Sequence, residues 1–227
     1  MKPLEYKTRD PDYITRPYQP KDREIIRRIC CETGFLGEPI DQVFNDRDIF
    51  ADYLTRYYTD IEPESCWVGE KEGKVVTYLL SCARWDLYRW WNLWNGLRMA
   101  VKVAVRLIGG RYDARSRKFL RWIITCGWKE TPEAPSESAH FHFNSLKEHR
   151  KLGVARDLVM IMFEDLARRG IPRVYGQMAT YKSRRTEKLY EYMGWKVVSK
   201  KRITKYEDKL DKEIYLTTVV KEFGEGS

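Results

Sequence analysis

The run Arg150-Lys151-Leu152-Gly153-Val154-Ala155-Arg156 holds the side chains and the spacing best suited to chemistry. Cations at both ends enclose a residue without a side chain and a small alanine, at the entry to a segment of helical period. The first amides of a helix lack internal partners, and its dipole makes that end partly positive. A loop entering such an end can wrap a phosphate in backbone N–H groups. Gly153 and Ala155 would let the phosphate come close. Arg150, Lys151 and Arg156 would add positive charge around a pyrophosphate. Any strand–turn–helix can carry one glycine, so the motif takes its meaning from its surroundings.

Upstream, residues 139–144 alternate. Ala139, Phe141 and Phe143 point one way, and His140, His142 and Asn144 the other. Two histidines on one strand face suit either proton transfer or plain packing. No metal is expected, because no third ligand stands at a suitable spacing. Downstream, Val154, Leu158, Ile161 or Met162 and Asp165 mark successive turns of a helix that Gly170-Ile171-Pro172 stops.

Other elements must hold this strand and helix in place. Residues 13–18 read as a first strand that stops near Pro17 and Pro20. Ile25, Ile26 and Ile29 give residues 21–32 one apolar helical face, ended by Gly34, and residues 46–58 repeat the pattern. Two β-rich runs, 66–70 and 74–85, flank Lys71-Glu72-Gly73, a hairpin signal. A strand over 173–179, a helix over 183–193 ended by Gly194, and a last hairpin of 195–203 and 213–222 complete the chain.

The 227 residues suit one domain carrying an insertion, and 43% hydrophobic residues are enough for a core. Five cysteines form neither a CxxC pair nor an even set, which reads as reduced, semi-buried thiols in a cytoplasmic protein. The first thirteen residues show no apolar stretch of a secretory signal. The net charge of +9 is local: residues 86–130 hold ten Lys/Arg against three acids, which is +7 of the total.

Within that segment, residues 87–108 have a helical period and a wide apolar part. One row runs through Trp90, Leu93 and Leu97, the next through Trp94, Val101 and Val105; only the row of Tyr88, Asn92, Asn95, Met99, Lys102 and Arg106 is mostly polar. Arg98, Lys102 and Arg106 break the helix up too much for a membrane span. The plain expectation is that its apolar rows cover another part of this chain, or a second copy in a homodimer. Weak contact with a membrane surface is the first alternative. A nucleic-acid patch is the second, disfavoured because the cations sit within one aromatic-rich segment.

Taken in order, the chain offers a strand, Arg150-x-x-Gly153-x-Ala155, a helix and a strand. A helix carrying Leu189-Tyr190-Glu191-Tyr192-Met193-Gly194-Trp195 and a closing strand follow. This resembles the GNAT N-acetyltransferase superfamily, whose acyl-CoA loop is Arg/Gln-x-x-Gly-x-Gly/Ala and whose later helix ends Leu-Tyr-x-x-x-Gly-Phe. All but the lead-in and residues 86–130 fits. The resemblance implies an α/β (α+β) fold with a mixed, mostly antiparallel central sheet, splayed between strands 4 and 5 and flanked by helices. Residues 86–130 would be a helical insertion between strands 3 and 4 of a single acetyltransferase domain spanning 1–227.

It also implies acetyl-CoA as co-substrate and no metal. The backbone at Ser145 and Leu146 would pair with the pantetheine arm. The amides of Leu152, Gly153, Val154 and Ala155, with Arg150, Lys151 and Arg156, would hold the pyrophosphate. Ser183 and Thr186 stand where many relatives carry Asn and Ala, with Ser183 near the pantetheine end. Tyr190 falls on the position of the general acid, and a tyrosine with its ordinary pKa near ~10 is protonated at neutral pH; a buried aromatic is its plainer role.

The implied reaction is direct attack of a primary amine on the thioester in a ternary complex. An ammonium must first lose a proton, so a base or a water chain is needed. His142 is the first candidate, with an ordinary pKa near ~6.5, and Glu64 the second, or else a carboxylate that binds the amine. The insertion is expected to cap or border the acceptor pocket. Two other classes stand beside the enzyme: a non-catalytic CoA-binding or interaction module, and a basic membrane- or RNA-associated protein acting through residues 86–130. The identity of the acceptor is not legible in the sequence.

Overall fold

The computed structural model describes residues 11–150, 152–181 and 187–223, with the backbone alone for Leu152 and Leu189. Strand β1 (Ile14–Pro17) leads into helices α1 (Arg23–Thr33) and α2 (Arg47–Ile61). Helix α1 buries Ile26, Ile29 and Cys30 at helical spacing. Gly34 follows it, as expected, but for another reason than a left-handed turn: its φ is −69°, and an added Cβ would lie 2.6 Å from the Phe50 ring. Close packing of α1 on α2 requires the glycine.

Strands β2 (Cys66–Lys71) and β3 (Lys74–Cys82) are joined through Glu72 and Gly73. Both residues have positive φ, 50° and 74°, the conformation that matches a two-residue turn to the twist of its strands. Residues 83–85 leave the strand, and the insertion begins with helix α3 (Trp85–Ile108). Helix α4 (Ala114–Trp122) continues through a π-helical turn (Ile123–Gly127) into the short α5 (Trp128–Glu130). Strand β4 (Ala139–Ser145), helix α6 (Leu152–Arg168), strand β5 (Arg173–Thr180), helix α7 (Glu187–Tyr192) and strands β6 (Lys196–Arg202) and β7 (Tyr215–Glu222) follow. The expected helix over 183–193 is thus described from Glu187 only.

The strands form one sheet in the order β1-β2-β3-β4-β5-β7-β6. Every neighbouring pair is antiparallel except β4 with β5. That parallel pair registers only Ala139 with Val174 and His140 with Tyr175; past these residues the two strands part. The Phe141 ring sits at the fork, close enough to β5 that a Cβ on Gly176 would lie 2.7 Å from it.

Helix α6 covers one face of the sheet, burying Leu158, Ile161, Met162 and Leu166 against Leu79 and Val174. Its first turn lies hard on β2, because a Cβ on Gly69 would come within 2.9 Å of Val154 Cγ1. That contact fixes where the amino end of α6 stands relative to the end of β4. Helices α1 and α2 cover the other face, with Ile26, Ile29 and Tyr57 against Tyr78 and Leu80.

Helix α3 packs on α2 with the face opposite to the expected one. Asn95 and Met99 are buried, and the Tyr88 ring meets Tyr57 and His140 with centroids 4.9 and 4.4 Å apart. Arg106 donates from Nη1 to Asp46 Oδ2 at 2.6 Å, and Tyr112 donates its hydroxyl to the same oxygen at 2.9 Å. Asp46 also caps α2 by accepting from the Ile49 amide at 3.3 Å. The mostly polar row therefore faces the protein, while Trp90, Leu93, Trp94 and Leu97 face outward. Asp46 is the joint between insertion and domain. Its replacement by alanine removes the cap and strands Arg106, and is expected to cost about 2–3 kcal/mol. Urea midpoints check this; Asp46→Asn, which keeps a cap acceptor, should lose about half as much.

Candidate active site

The fork between β4 and β5 opens into a cleft of about 490 Å³ that passes from one face of the sheet to the other. On the α6 side its wall includes Phe141, Phe143, Ala155, Arg156, Tyr190 and Trp195. On the α1–α2 side it includes Cys30, Phe50, Leu54, His142 and Asn144, with Ile203 and Tyr206 from the β6–β7 end. The structure thus brings Tyr190, His142, Ser145, Arg150, Ala155 and Arg156 to one cavity.

The edge of β4 that faces the cleft is readable from one hydrogen bond. Leu146 N–H donates to Val76 O on β3 at 3.0 Å. Antiparallel alternation then turns the N–H and C=O of Phe141, Phe143 and Ser145 toward the opening. This corrects the expectation for Leu146, whose amide is taken up by β3 and cannot serve the cleft. The Ser145 carbonyl already accepts from Arg150 Nε at 3.2 Å, and its hydroxyl donates to His149 O at 3.0 Å.

At the mouth stands the first turn of α6. Gly153 and Ala155 are partly exposed there, whereas the Val154 side chain is buried and contributes only its backbone. Arg156 is exposed at the rim. Arg150 is placed differently from expectation: its Nη2 donates to the Gly37 carbonyl, tying the α1–α2 loop to the β4–α6 loop. Lys147 and Glu38 add a second tie at 2.8 Å. Lys151 and Ser183, also expected at the cofactor, lie outside the described residues, as does the Leu152 side chain.

Tyr190 owes its orientation to the residues after it. Trp195 N–H donates to Tyr190 O and Gly194 N–H to Glu191 O, both at 2.9 Å, with Gly194 at φ 78°. These are the two bonds of a Schellman cap. The cap folds Trp195 back against Tyr190 in the main core, which is the physical reason for a glycine and an aromatic at the end of this helix.

His142 sits in a network. Asn144 Nδ2 donates to Tyr78 Oη at 2.8 Å and lies 3.2 Å from His142 Nε2, while His142 Nδ1 lies 3.4 Å from Tyr78 Oη. With Nε2 accepting from Asn144, the ring proton is on Nδ1 and both nitrogens are engaged. Burial pushes His142 down to about 4, so its imidazole is neutral at physiological pH. His140 is not on the cleft; it packs among Tyr58, Tyr88 and Tyr175 and, by burial, is also held at about 4.

Unfolded histidines titrate near ~6.5. As pH falls from there toward 4, the unfolded chain takes up protons that the folded chain refuses, so stability present above ~6.5 is lost on acidification. The loss is about 1.4 kcal/mol per pH unit for His140 alone and up to about twice that with His142. Urea unfolding at pH 7, 6 and 5 reads it directly, and His140→Phe should flatten the slope.

Glu64 is not a wall of the cleft. It stands at the closed end of the fork, with a 54% exposed side chain 3.3 Å from Arg84. Two residues earlier, Glu62 is fully buried and accepts from Tyr57, Ser65 and the Ala83 amide at 2.8–2.9 Å. It is a structural hub and does not line the cleft. Sequence reasoning missed Cys30 and Tyr78, and the side-chain role of Asn144. The alternation had placed Asn144 beside His142, but nothing in it brought Tyr78 and Cys30 across from other elements. Burial pushes the Cys30 thiol up to about 12, which holds it protonated at neutral pH. No group of three metal ligands occurs among the described residues.

No protein-family model and no curated protein matches the sequence. Solved structures do. The protein named SsHAT is 21% identical over 95% of this chain and 100% of its own, with a TM-score of 0.57. A putative acetyltransferase of Salmonella typhimurium, solved with acetyl-CoA, is 13% identical over 95% and 96%, with a TM-score of 0.53. A polyamine N-acetyltransferase of Drosophila melanogaster is 14% identical over 93% and 100%, with a TM-score of 0.52. The chain has the GNAT fold. In this fold α1 and α2 cover one side of the splayed sheet, α6 begins near its mouth, and residues 85–130 lie between the third and fourth strands. None of those inserted residues lines the cleft. Contrary to expectation, the insertion braces the walls from behind, through Trp122 and Glu130 on Thr204 and through Met99, Tyr112 and Phe119 in one cluster with Ile203 and Tyr206.

Proposed function

We propose that the chain moves an acetyl group from acetyl-CoA to a primary amine by direct attack in a ternary complex. The observation that carries this reading is the parting of β4 from β5 after two residue pairs, with the first turn of α6 at the mouth of the gap. The residues present fit such a co-substrate. The N–H and C=O of Phe143 and the N–H of Ser145 face the gap along the strand edge, and the amides of Gly153 and Val154 with Arg156 suit a diphosphate. When bound, acetyl-CoA supplies the thioester. Tyr190 serves as proton donor to the departing sulfur. Cys30, a thiol held protonated, favours direct transfer over an acyl-cysteine route. His142 accepts the amine's proton only once the acceptor displaces the Asn144 amide from Nε2.

The acceptor side carries a further expectation. Its walls are largely apolar, with Leu36, Phe50, Leu54, Ile203 and Leu216, and no Asp or Glu lines the cleft among the described residues. A cationic polyamine would find no counter-ion there, and a second charge moved from water into such a site is costly. The reading therefore favours a monoamine with an apolar body.

Calorimetry with CoA and acetyl-CoA, followed by thiol release over an amine panel, tests the proposal. Turnover is expected with aryl-alkyl monoamines and at least tenfold less with spermidine or agmatine. Absence of heat with either carrier overturns it. A CoA-binding module without turnover is the second reading, favoured by the engagement of both His142 nitrogens. Binding without thiol release from any amine would select it.

A further inference from the structure

Helix α3 departs from the rule that an amphipathic helix turns its apolar stripe inward. Trp90, Leu93, Trp94, Leu97, Val101 and Ile108 are between 57% and 88% exposed. At about 100° per residue these six fall within an arc about 100° wide, on the side opposite the buried Asn95 and Met99. Asp86 in the first turn is the one charged residue on that arc. Single exposed apolar side chains are ordinary, but a continuous row over a 24-residue helix marks a docking surface.

Charge says what it docks on. Residues 86–130 carry +7, and six of the eight tryptophans lie within 85–128. An apolar stripe flanked by Lys/Arg and tryptophan is the composition of a helix lying in the headgroup region of an anionic membrane. A second copy fits less well, because a two-fold interface sets the same patch against itself and would bring the like charges that flank it, Arg89 and Arg98, to one seam. RNA fits less well too, since single-strand binders interleave cations with stacking aromatics along one groove, whereas the middle of this stripe is aliphatic. No described helix is long and apolar enough to cross a membrane, so the helix would lie flat.

We propose that α3 docks on an anionic lipid surface, its outward row sunk to the acyl boundary and Arg89 and Arg98, which flank that row on either side, against lipid phosphates. This attraction is screened by salt, and it stands independently of the acetyltransferase reading.

The test is flotation of the full chain with vesicles of phosphatidylcholine alone and of phosphatidylcholine with 25% phosphatidylglycerol, at about 0.1 M salt. The expected result is recovery with the anionic vesicles, a blue-shifted tryptophan emission, and loss of most binding with the neutral ones. The double variant Leu97→Glu/Val101→Glu changes only exposed side chains. It should bind at least tenfold more weakly while keeping the wild-type thermal midpoint and far-ultraviolet circular dichroism. No recovery with anionic vesicles, or equal recovery of the variant, overturns the proposal. So does a dimer, seen by light scattering, that the variant dissolves while wild type ignores vesicles; the face would then belong to a second copy.

Discussion

Replacing Gly153 with aspartate is expected to weaken acetyl-CoA binding by a factor of about 100 to 1,000 while leaving the thermal midpoint unchanged or slightly raised. Gly153 is the second residue of α6, two positions before Ala155 on the cleft wall. A carboxylate there would face a diphosphate. At a separation of about 4 Å and an effective dielectric near 20, two such charges repel by about 4 kcal/mol, or about a thousandfold in affinity, with salt and rearrangement reducing it. The helix itself responds the other way. An acidic side chain in the first turn complements the dipole, and loss of a glycine removes backbone entropy from the unfolded chain. Affinity and stability therefore move in opposite directions, which separates loss of the site from loss of the fold. Calorimetry and thermal melting of one preparation read both, and unchanged affinity would falsify the phosphate assignment.

The second large effect is expected for Tyr190→Phe: turnover at least tenfold lower, with acetyl-CoA affinity within about twofold. General acids contribute on the order of 100- to 10,000-fold; the lower bound allows for water taking over part of the proton delivery. The ring is only 8% exposed and belongs to the main core, and phenylalanine keeps that packing. The cap that orients this turn uses main-chain atoms of residues 190, 191, 194 and 195, so it survives the change. Single-turnover rates against a titrated dissociation constant make the comparison. A variant as fast as wild type removes Tyr190 from the acid role.

The two positions differ in how they could be found. Gly153 stands out as a candidate in the sequence because a helix start, small residues and cations lie consecutively in the chain, and phosphate binding at a helix end is a local property. Tyr190 came only through resemblance, since nothing in Leu-Tyr-Glu-Tyr-Met-Gly-Trp distinguishes an acid from a packed aromatic. Its two neighbouring signals, Gly194 and Trp195, have a local explanation in the helix cap. For His142 the strand alternation gave the right face, but not the Asn144–Tyr78 network that occupies both nitrogens. Glu64 shows the reverse case. A carboxylate ahead of a strand is equally plausible at either end of the sheet, and it stands at the closed end, while Glu62, two residues away, is the buried one.

Arg150 and α3 show where periodicity and composition stop. The basic residue of the phosphate motif reaches the carbonyl of Gly37, more than a hundred residues earlier, because the α1–α2 loop happens to cross the mouth. For α3, the heptad-scale pattern correctly gave a helix with one wide apolar side and one narrow polar side. It could not say which side meets α2, since that depends on Asp46 waiting for Arg106 and Tyr112.

By itself the sequence determined the elements, the alternation of β4, the caps that end α6 and α7, and the phosphate-suited start of α6. All of these follow from interactions between residues a few positions apart. Tertiary structure alone decided the depth of the fork at His140, the apolar cleft wall without Asp or Glu among the described residues, the hydrogen-bonding of His142 to Asn144 and Tyr78, and the outward turn of α3. Each of those depends on burial and on contacts between segments far apart in the chain, and neither burial nor long-range pairing is carried by local spacing.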